Sequence, residues 1–96
     1  MKGSQRKYLR GLAHGLKPVI QVGKNGLAEN LFESVNAALK AHELIKVKFV
    51  GLKEEKISLS RDIAGHCQSE LVGVIGNIAI LYRQHPEADK RKIALP

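Results

Sequence analysis

The residues with the clearest potential for chemistry lie at Gly23-Lys24-Asn25-Gly26, where an apolar segment ending in Val22 hands over to an amphipathic one. Two glycines bracket two polar residues, so the backbone there is free to take positive φ and a ligand can approach it without meeting a Cβ. If a helix follows, its first N–H groups are unpaired and carry partial positive charge, which suits an anion, and Lys24 adds a full charge at the tip. The chemistry implied is phosphate holding. An ordinary strand-to-helix turn would carry the same letters, so the placement of charge elsewhere in the chain decides how much weight the turn bears.

Other candidate chemistry is thinner. His66-Cys67 would suggest a thiol nucleophile, but helical periodicity turns Cys67 inward and His66 away from it. His14, His42, His66 and His85 show no metal-ligand spacing, so no metal site is expected. Gly11 to Lys17 has the wrong glycine spacing for a Walker loop and lacks the Ser or Thr after the lysine. Glu54-Glu55 precede an apolar periodic stretch and are expected to cap a helix rather than to serve as an acid-base pair. No catalytic residue, cofactor or small-molecule substrate is expected.

Charge supports the first reading. Sixteen basic residues face nine acidic ones in 96 residues, giving a net +7 and pointing to an anionic partner. Lys2, Arg6, Lys7, Arg10, Lys17 and Lys24 all precede the first acid, Glu29, so six of the seven net charges lie in the first 28 residues. The cationic segment therefore leads directly into the glycine turn.

The elements that must position these groups follow from periodicity and punctuation. Ser4 as N-cap, Gly15 as stop and Pro18 beyond it bound a first helix whose apolar stripe is Leu9, Leu12, Ala13 and Leu16. Arg6, Arg10 and Lys17 fall on another side of it, flanked by Lys7 and His14. Pro18 to Val22 reads as a strand, and Leu27 to His42 as a core-facing helix with Leu27, Leu31, Val35, Ala38 and Leu39 inward. Leu44 to Val50 alternates, with Ile45, Val47 and Phe49 facing the core and Lys46 and Lys48 facing away. A third helix is expected over Lys53 to Gln68. Leu71 to Ile75 and Ile78 to Arg83 form a hairpin across Gly76-Asn77. The tail from His85 onward carries Lys90-Arg91-Lys92, and Ile93 and Leu95 could add a short edge segment.

This α-β-α-β-α-β-β order implies an α/β fold of one domain, a two-layer sandwich with a four-stranded mixed sheet. If both crossovers step the same way, helices two and three cover one face and leave the other partly open, with Lys46 and Lys48 extending the basic surface. A single cysteine excludes an internal disulfide and, with no apolar leader at the start and no apolar run of membrane-spanning length, points to the cytoplasm. Only 4% of residues are aromatic, so base stacking on a platform is not expected and phosphate contacts should dominate binding to nucleic acid, RNA rather than duplex DNA.

Four stretches taken together, Gln5 to His14 (QRKYLRGLAH), Lys17 to Leu27 (KPVIQVGKNGL), Ala41 to Lys48 (AHELIKVK) and Val74 to Arg83 (VIGNIAILYR), resemble the YhbY-like family. Its members are bacterial proteins made of a single chloroplast RNA splicing and ribosome maturation (CRM) domain. The resemblance implies a fold similar to the C-terminal domain of translation initiation factor 3, with a G-x-x-G loop at Gly23, Lys24, Asn25 and Gly26. It implies binding to rRNA in precursors of the large (50S) ribosomal subunit, by a monomer with no membrane association. The implied basic surface comprises Arg6, Arg10, Lys17, Lys46 and Lys48. Gly76, Tyr82 and Arg83 match a late motif in which fold roles for the first two stand beside RNA contact by Arg83. The alternative is an adaptor whose basic face docks on an acidic ribosomal protein or assembly factor.

Overall fold

The structure, a computed structural model, describes residues 1–23 and 29–96. Its elements are α1 (Gly3–Ala13), β1 (Ile20–Val22), α2 (Glu29–His42), β2 (Leu44–Phe49), α3 (Lys56–His66), β3 (Glu70–Ile75), β4 (Ile78–Tyr82) and a 3-10 turn at Ala88–Lys90. The expected α/β fold with a four-stranded mixed sheet is the one observed. Strand order is β1-β2-β4-β3. β1 and β2 are parallel, and β4 runs antiparallel to both β2 and β3. The crossover through α3 therefore leaves one strand's width between β2 and β3, and the hairpin returns β4 into that gap. Gly76 makes the return possible: the turn has only two residues, Ile75 pairs with Ile78, and Gly76 sits at φ +58°.

Period-two alternation sorts the strands onto two faces. Ile45, Val47, Phe49, Ala79 and Leu81 pack against Val35 and Leu39 of α2 and against Ile63, Ala64 and Cys67 from α3 and its C-terminus. Phe49, Ile63 and Leu81 are each essentially sealed from water, which stabilises the fold by about 1.5–3 kcal/mol per side chain. On the opposite face Leu44, Val72, Ile80 and Tyr82 lie under Leu9 and Ala13 of α1, with Ile93 and Leu95 of the tail packed alongside. The face carrying the lysines thus contributes to a second core at its Leu44 end. α1 covers that end only. At the other end Lys48 and Ile75 remain exposed.

Several boundaries moved. α1 is capped by Lys2 rather than Ser4: the Gln5 Oε1 accepts the Lys2 N–H at 3.1 Å, the reciprocal half of a capping box. The helix ends at Ala13, with the His14 N–H shared between the Arg10 and Gly11 carbonyls. Gly15 takes no left-handed conformation. Because Leu16 lies beyond the last turn, the apolar stripe reduces to Leu9 and Ala13, while Leu12 and Leu16 stay 42% and 41% exposed. α3 starts at Lys56, so Glu54 and Glu55 precede it and Glu55 caps it without a side-chain bond. They do not stand in its first turn.

The tail forms no strand, yet it is tied down. Glu43, between α2 and β2, has φ +64° and is 1% exposed. Its carboxylate accepts the N–H groups of His85 (2.7 Å), Lys92 (2.6 Å) and Ile93 (2.9 Å), and its carbonyl accepts the Arg83 N–H at 2.8 Å. One residue thus fixes both ends of the tail. Burial opposes charge on Glu43, but these N–H donors and the neighbouring His85 outweigh it and hold the carboxyl below its ordinary value of 4.5.

Candidate nucleic-acid interface

α1 lies across β3, β4 and β2, and spacing of four along it puts Arg6, Arg10 and His14 in one row. Arg6 is consumed by the sheet. Its Nη1 donates to the Leu71 carbonyl at 2.6 Å, and Nη2 lies 3.9 Å from the Glu70 carboxylate. One turn on, the Arg10 stem passes Gly73, where an added Cβ would sit in ordinary contact, 3.6 Å from Arg10 Cδ. Arg10 and His14 are exposed. Together with Lys46 they line a small cavity of ≈ 130 Å³ whose other walls are Ile75, Ile78 and Ile80.

Lys46 is steadied by donating to the Leu16 carbonyl at 2.9 Å, so β2 and the α1–β1 connection hold its ammonium beside the helix. Lys48 follows on the same face, in register with Gln21 of β1 and Ile78 of β4, and it is exposed. Val22 pairs with Phe49 at this same end of the sheet, and Gly23 comes next. Arg10, His14 and Lys46 therefore meet around one cavity, and Lys48 stands two residues further along β2 on the same face, toward the end of the sheet where β1 stops at Val22. Among the described residues, no acidic side chain lines the cavity that Arg10, His14 and Lys46 share.

Lys24, Asn25 and Gly26, named from the sequence as the phosphate-holding turn, lie outside the described residues. Gly23 is described: it is exposed, its φ is not left-handed, and a Cβ added there would meet nothing within 4 Å among the described residues. What it offers is open space rather than an unusual backbone.

The remaining predicted contacts are dispersed. Lys7 stands on another side of α1, beside Tyr8, Gly11 and Pro96. Lys17, beyond the helix and so not placed by its periodicity, borders a groove of ≈ 490 Å³ floored by Leu12, Leu16, Val19 and Leu44. Arg83 lies on the α2/α3 side. Its Nη1 donates to Asn36 Oδ1 at 2.7 Å and to the Cys67 carbonyl at 2.8 Å, and its Nη2 to the Asn36 carbonyl at 3.0 Å. That guanidinium braces α2 against the end of α3. Tyr82, buried opposite Leu44, and Gly76 in the hairpin both have fold roles.

Cys67 is buried, its thiol directed at the Phe32 carbonyl at 3.8 Å and its pKa raised by burial. His66 stacks on Phe32 at 4.2 Å instead of facing the thiol. Among the described residues no group of three His, Cys, Asp or Glu side chains could hold a metal ion, and no helix is long and apolar enough to cross a membrane.

Sequence reasoning missed Ile75 and Ile78 as neighbours of the cations. The signal was present, since alternation from the core-facing Val74 turns Ile75 outward. It also assigned Glu43 no role; nothing local distinguishes an acid that will be enclosed by a tail some forty residues later.

Fold and surface define an α/β domain with a closed helical layer on one side of a mixed sheet and a cation-bearing first helix on the other. Comparison with known proteins places it further. The CRS1/YhbY (CRM) domain model matches residues 1–83, and the chain belongs to that family. The Bacillus subtilis protein named probable RNA-binding protein YqeI is 37% identical over 97 residues, covering 100% of this chain and 99% of its own. A Haemophilus influenzae protein named RNA-binding protein is 43% identical over 93 residues, covering 96% and 91%. The solution structure of the hypothetical protein SAV1595 from Staphylococcus aureus, described as a candidate RNA binder, matches with a TM-score of 0.85 at 37% identity, covering 100% and 99%.

Proposed function

We propose that this chain is a non-catalytic RNA-binding protein acting on rRNA in precursors of the large ribosomal subunit, as a monomer in the cytoplasm. The observation that carries the reading is the meeting of Arg10, His14 and Lys46 around one cavity on the α1 face, with Lys48 further along β2 toward the end of the sheet where β1 stops at Val22. Relatives bearing RNA-binding names support it, and the sequence adds Lys24 between two glycines directly after that strand. Cations around a cavity with no acid among its described lining residues attract a phosphate chain. The glycines let that chain approach the backbone, and affinity falls with salt as counterions return to the RNA.

Binding of a labelled single-stranded RNA across a salt series tests this. Four to five phosphate contacts give a slope of log K against log salt of about −3. Lys24→Glu should weaken binding and flatten that slope while leaving the melting temperature nearly unchanged. Equal affinity and equal slope would remove the loop from the mechanism. Crosslinking in cells, with sequencing of the attached RNA, tests the large-subunit assignment, and reads spread without preference over cellular RNA would overturn it.

One observation favours the adaptor reading: the groove floored by Leu12, Leu16 and Val19, rimmed by Lys17 and Lys92, would suit an acidic amphipathic segment of a protein. Ribonuclease treatment of the bound particle separates the two, since an adaptor stays with its partner after the RNA is digested.

A further inference from the structure

Ile75 is 60% exposed, the most exposed of the large hydrophobic side chains among the described residues. A single exposed isoleucine needs no explanation. Its surroundings are less ordinary. It is the cross-strand partner of half-buried Ile78, and the two point to the α1 face beside Ile80. Neighbouring cross-strand side chains pack into a continuous surface, so the pair presents one aliphatic ledge. Arg10, His14 and Lys46 border it directly. Lys48 is in register with Ile78. Lys56 Nζ donates to the Gly76 carbonyl at 2.6 Å and steadies the hairpin that carries the ledge.

Apolar surface walled by cations fits a ligand that is flat and apolar at one part and anionic at another. An unpaired nucleotide is such a ligand: its base has an apolar face and its flanking phosphates are charged. A base stacked within a duplex has no face to offer. The aromatic side chains that ordinarily receive bases are elsewhere. Phe49 and Tyr82 are buried, Phe32 stacks on His66, and Tyr8 stands with Lys7 on another side of α1.

We infer that Ile75 and Ile78 form a base-receiving ledge, on which one unpaired RNA base lies while Arg10, His14 and Lys46 hold its flanking phosphates. The inference rests on the proposed RNA-binding function and adds a preference for unpaired over paired RNA. The ledge is aliphatic, so the contact is sequence-tolerant and weaker than aromatic stacking.

The test is a titration of wild type, Ile75→Thr, Ile75→Phe and Arg10→Gln with a labelled 12-nucleotide RNA pool of random sequence and with a 12-base-pair RNA duplex, across a salt series. Ile75 is exposed at the strand end, and both replacements favour strands, so the melting temperatures should agree with wild type and confirm folding. Ile75→Thr should bind the single-stranded pool about fivefold more weakly and Ile75→Phe about threefold more tightly, both with the wild-type salt slope, and neither should change duplex binding. Arg10→Gln should weaken binding to both RNAs and flatten the slope by about 0.7. If both Ile75 variants match wild type while Arg10→Gln weakens binding, the ledge is refuted and the RNA-binding reading stands. If Arg10→Gln also matches wild type, or wild type binds neither RNA at low salt, the reading falls and the ledge with it. Equal effects of Ile75→Thr on duplex and single strand would refute the preference for an unpaired base.

Discussion

The two faces of the sheet use the same kind of side chain for opposite purposes. On the α2/α3 face Arg83 is surrounded by acceptors, and its guanidinium makes three bonds that join α2 to the C-terminus of α3. On the α1 face Arg10, His14 and Lys48 stand exposed, and Lys46 makes one backbone bond that leaves its ammonium room for further acceptors. An arginine with three of its five N–H donors taken by the fold is a strut. A cation at the uncovered end of a half-covered sheet has its hydrogen-bonding capacity left for a ligand. What distinguishes the two faces in a chain of net charge +7 is therefore residual capacity rather than charge density.

The largest effect that would break this contrast is on stability. Arg83→Met keeps the length of the side chain and removes all three bonds, leaving the Asn36 and Cys67 carbonyls short of a partner. Unfolding free energy should fall by about 3 kcal/mol, measured by urea denaturation. RNA affinity measured well below the melting temperature should stay within twofold of wild type. A stable variant that binds RNA poorly would move Arg83 from strut to contact, as the late motif of the family allows.

A somewhat smaller effect concerns Glu43. Glu43→Gln removes the charge that three tail N–H groups share and should cost about 2 kcal/mol at pH 7. The same residue sets a pH dependence. Its folded pKa lies below its unfolded value, so its contribution to stability is complete above the ordinary glutamate value of 4.5 and is lost as pH falls through the lower folded value. Wild type and Glu43→Gln should differ in melting temperature at pH 7 and converge toward acid. Parallel curves would show that the tail is held by Ile93 and Leu95 alone.

How much of this the sequence disclosed depends on the range of the interaction. Element types and order, the Gly76-Asn77 hairpin, the buried Cys67 and the inward set Ile45, Val47 and Phe49 follow from local periodicity, and the structure has them. Helix ends were misread where capping fell to an unusual residue: Lys2 caps α1 through Gln5, and Ser4 lies inside it. The cationic surface was half legible. Spacing of four joins Arg10 to His14, and alternation joins Lys46 to Lys48, but only the tertiary placement of α1 over one end of the sheet brings those pairs together. Arg6, Arg10 and Lys17 looked equivalent because a helical wheel sees one helix; the Leu71 carbonyl takes the first, and the helix ends before the third. Glu43 was illegible for the same reason, its donors being far along the chain.

On the α1 face a charge reversal gives the next effect in size. Lys46→Glu places a carboxylate in the cavity lined by Arg10 and His14, removes one proposed phosphate contact and should weaken binding of single-stranded RNA about tenfold at moderate salt, converging toward wild type as salt rises. The variant also loses the bond to the Leu16 carbonyl, an exposed contact whose loss should lower stability by about 1 kcal/mol or less. A tenfold weakening that persisted at high salt would mean that the substitution disturbs the face rather than its field.

The smallest effect isolates the glycine that ends β1. Gly23→Ala adds one methyl group at a position where φ is not left-handed and where a Cβ meets nothing within 4 Å among the described residues. The described residues therefore give no steric reason to resist it. Lower entropy of the unfolded chain should leave the melting temperature equal or slightly higher, in keeping with the roughly 0.4–1 kcal/mol that Gly→Ala contributes at compatible sites. A phosphate chain lying against the backbone there would meet that methyl group, so RNA affinity should fall about threefold with the salt slope unchanged, because no charge has been altered. This combination, stability kept and affinity lost at constant slope, is one that neither a folding defect nor a lost ion pair produces. If the alanine variant binds as tightly as wild type, the ligand does not approach the backbone at Gly23, and the cations of α1 and β2 must hold the RNA without close packing at the end of β1.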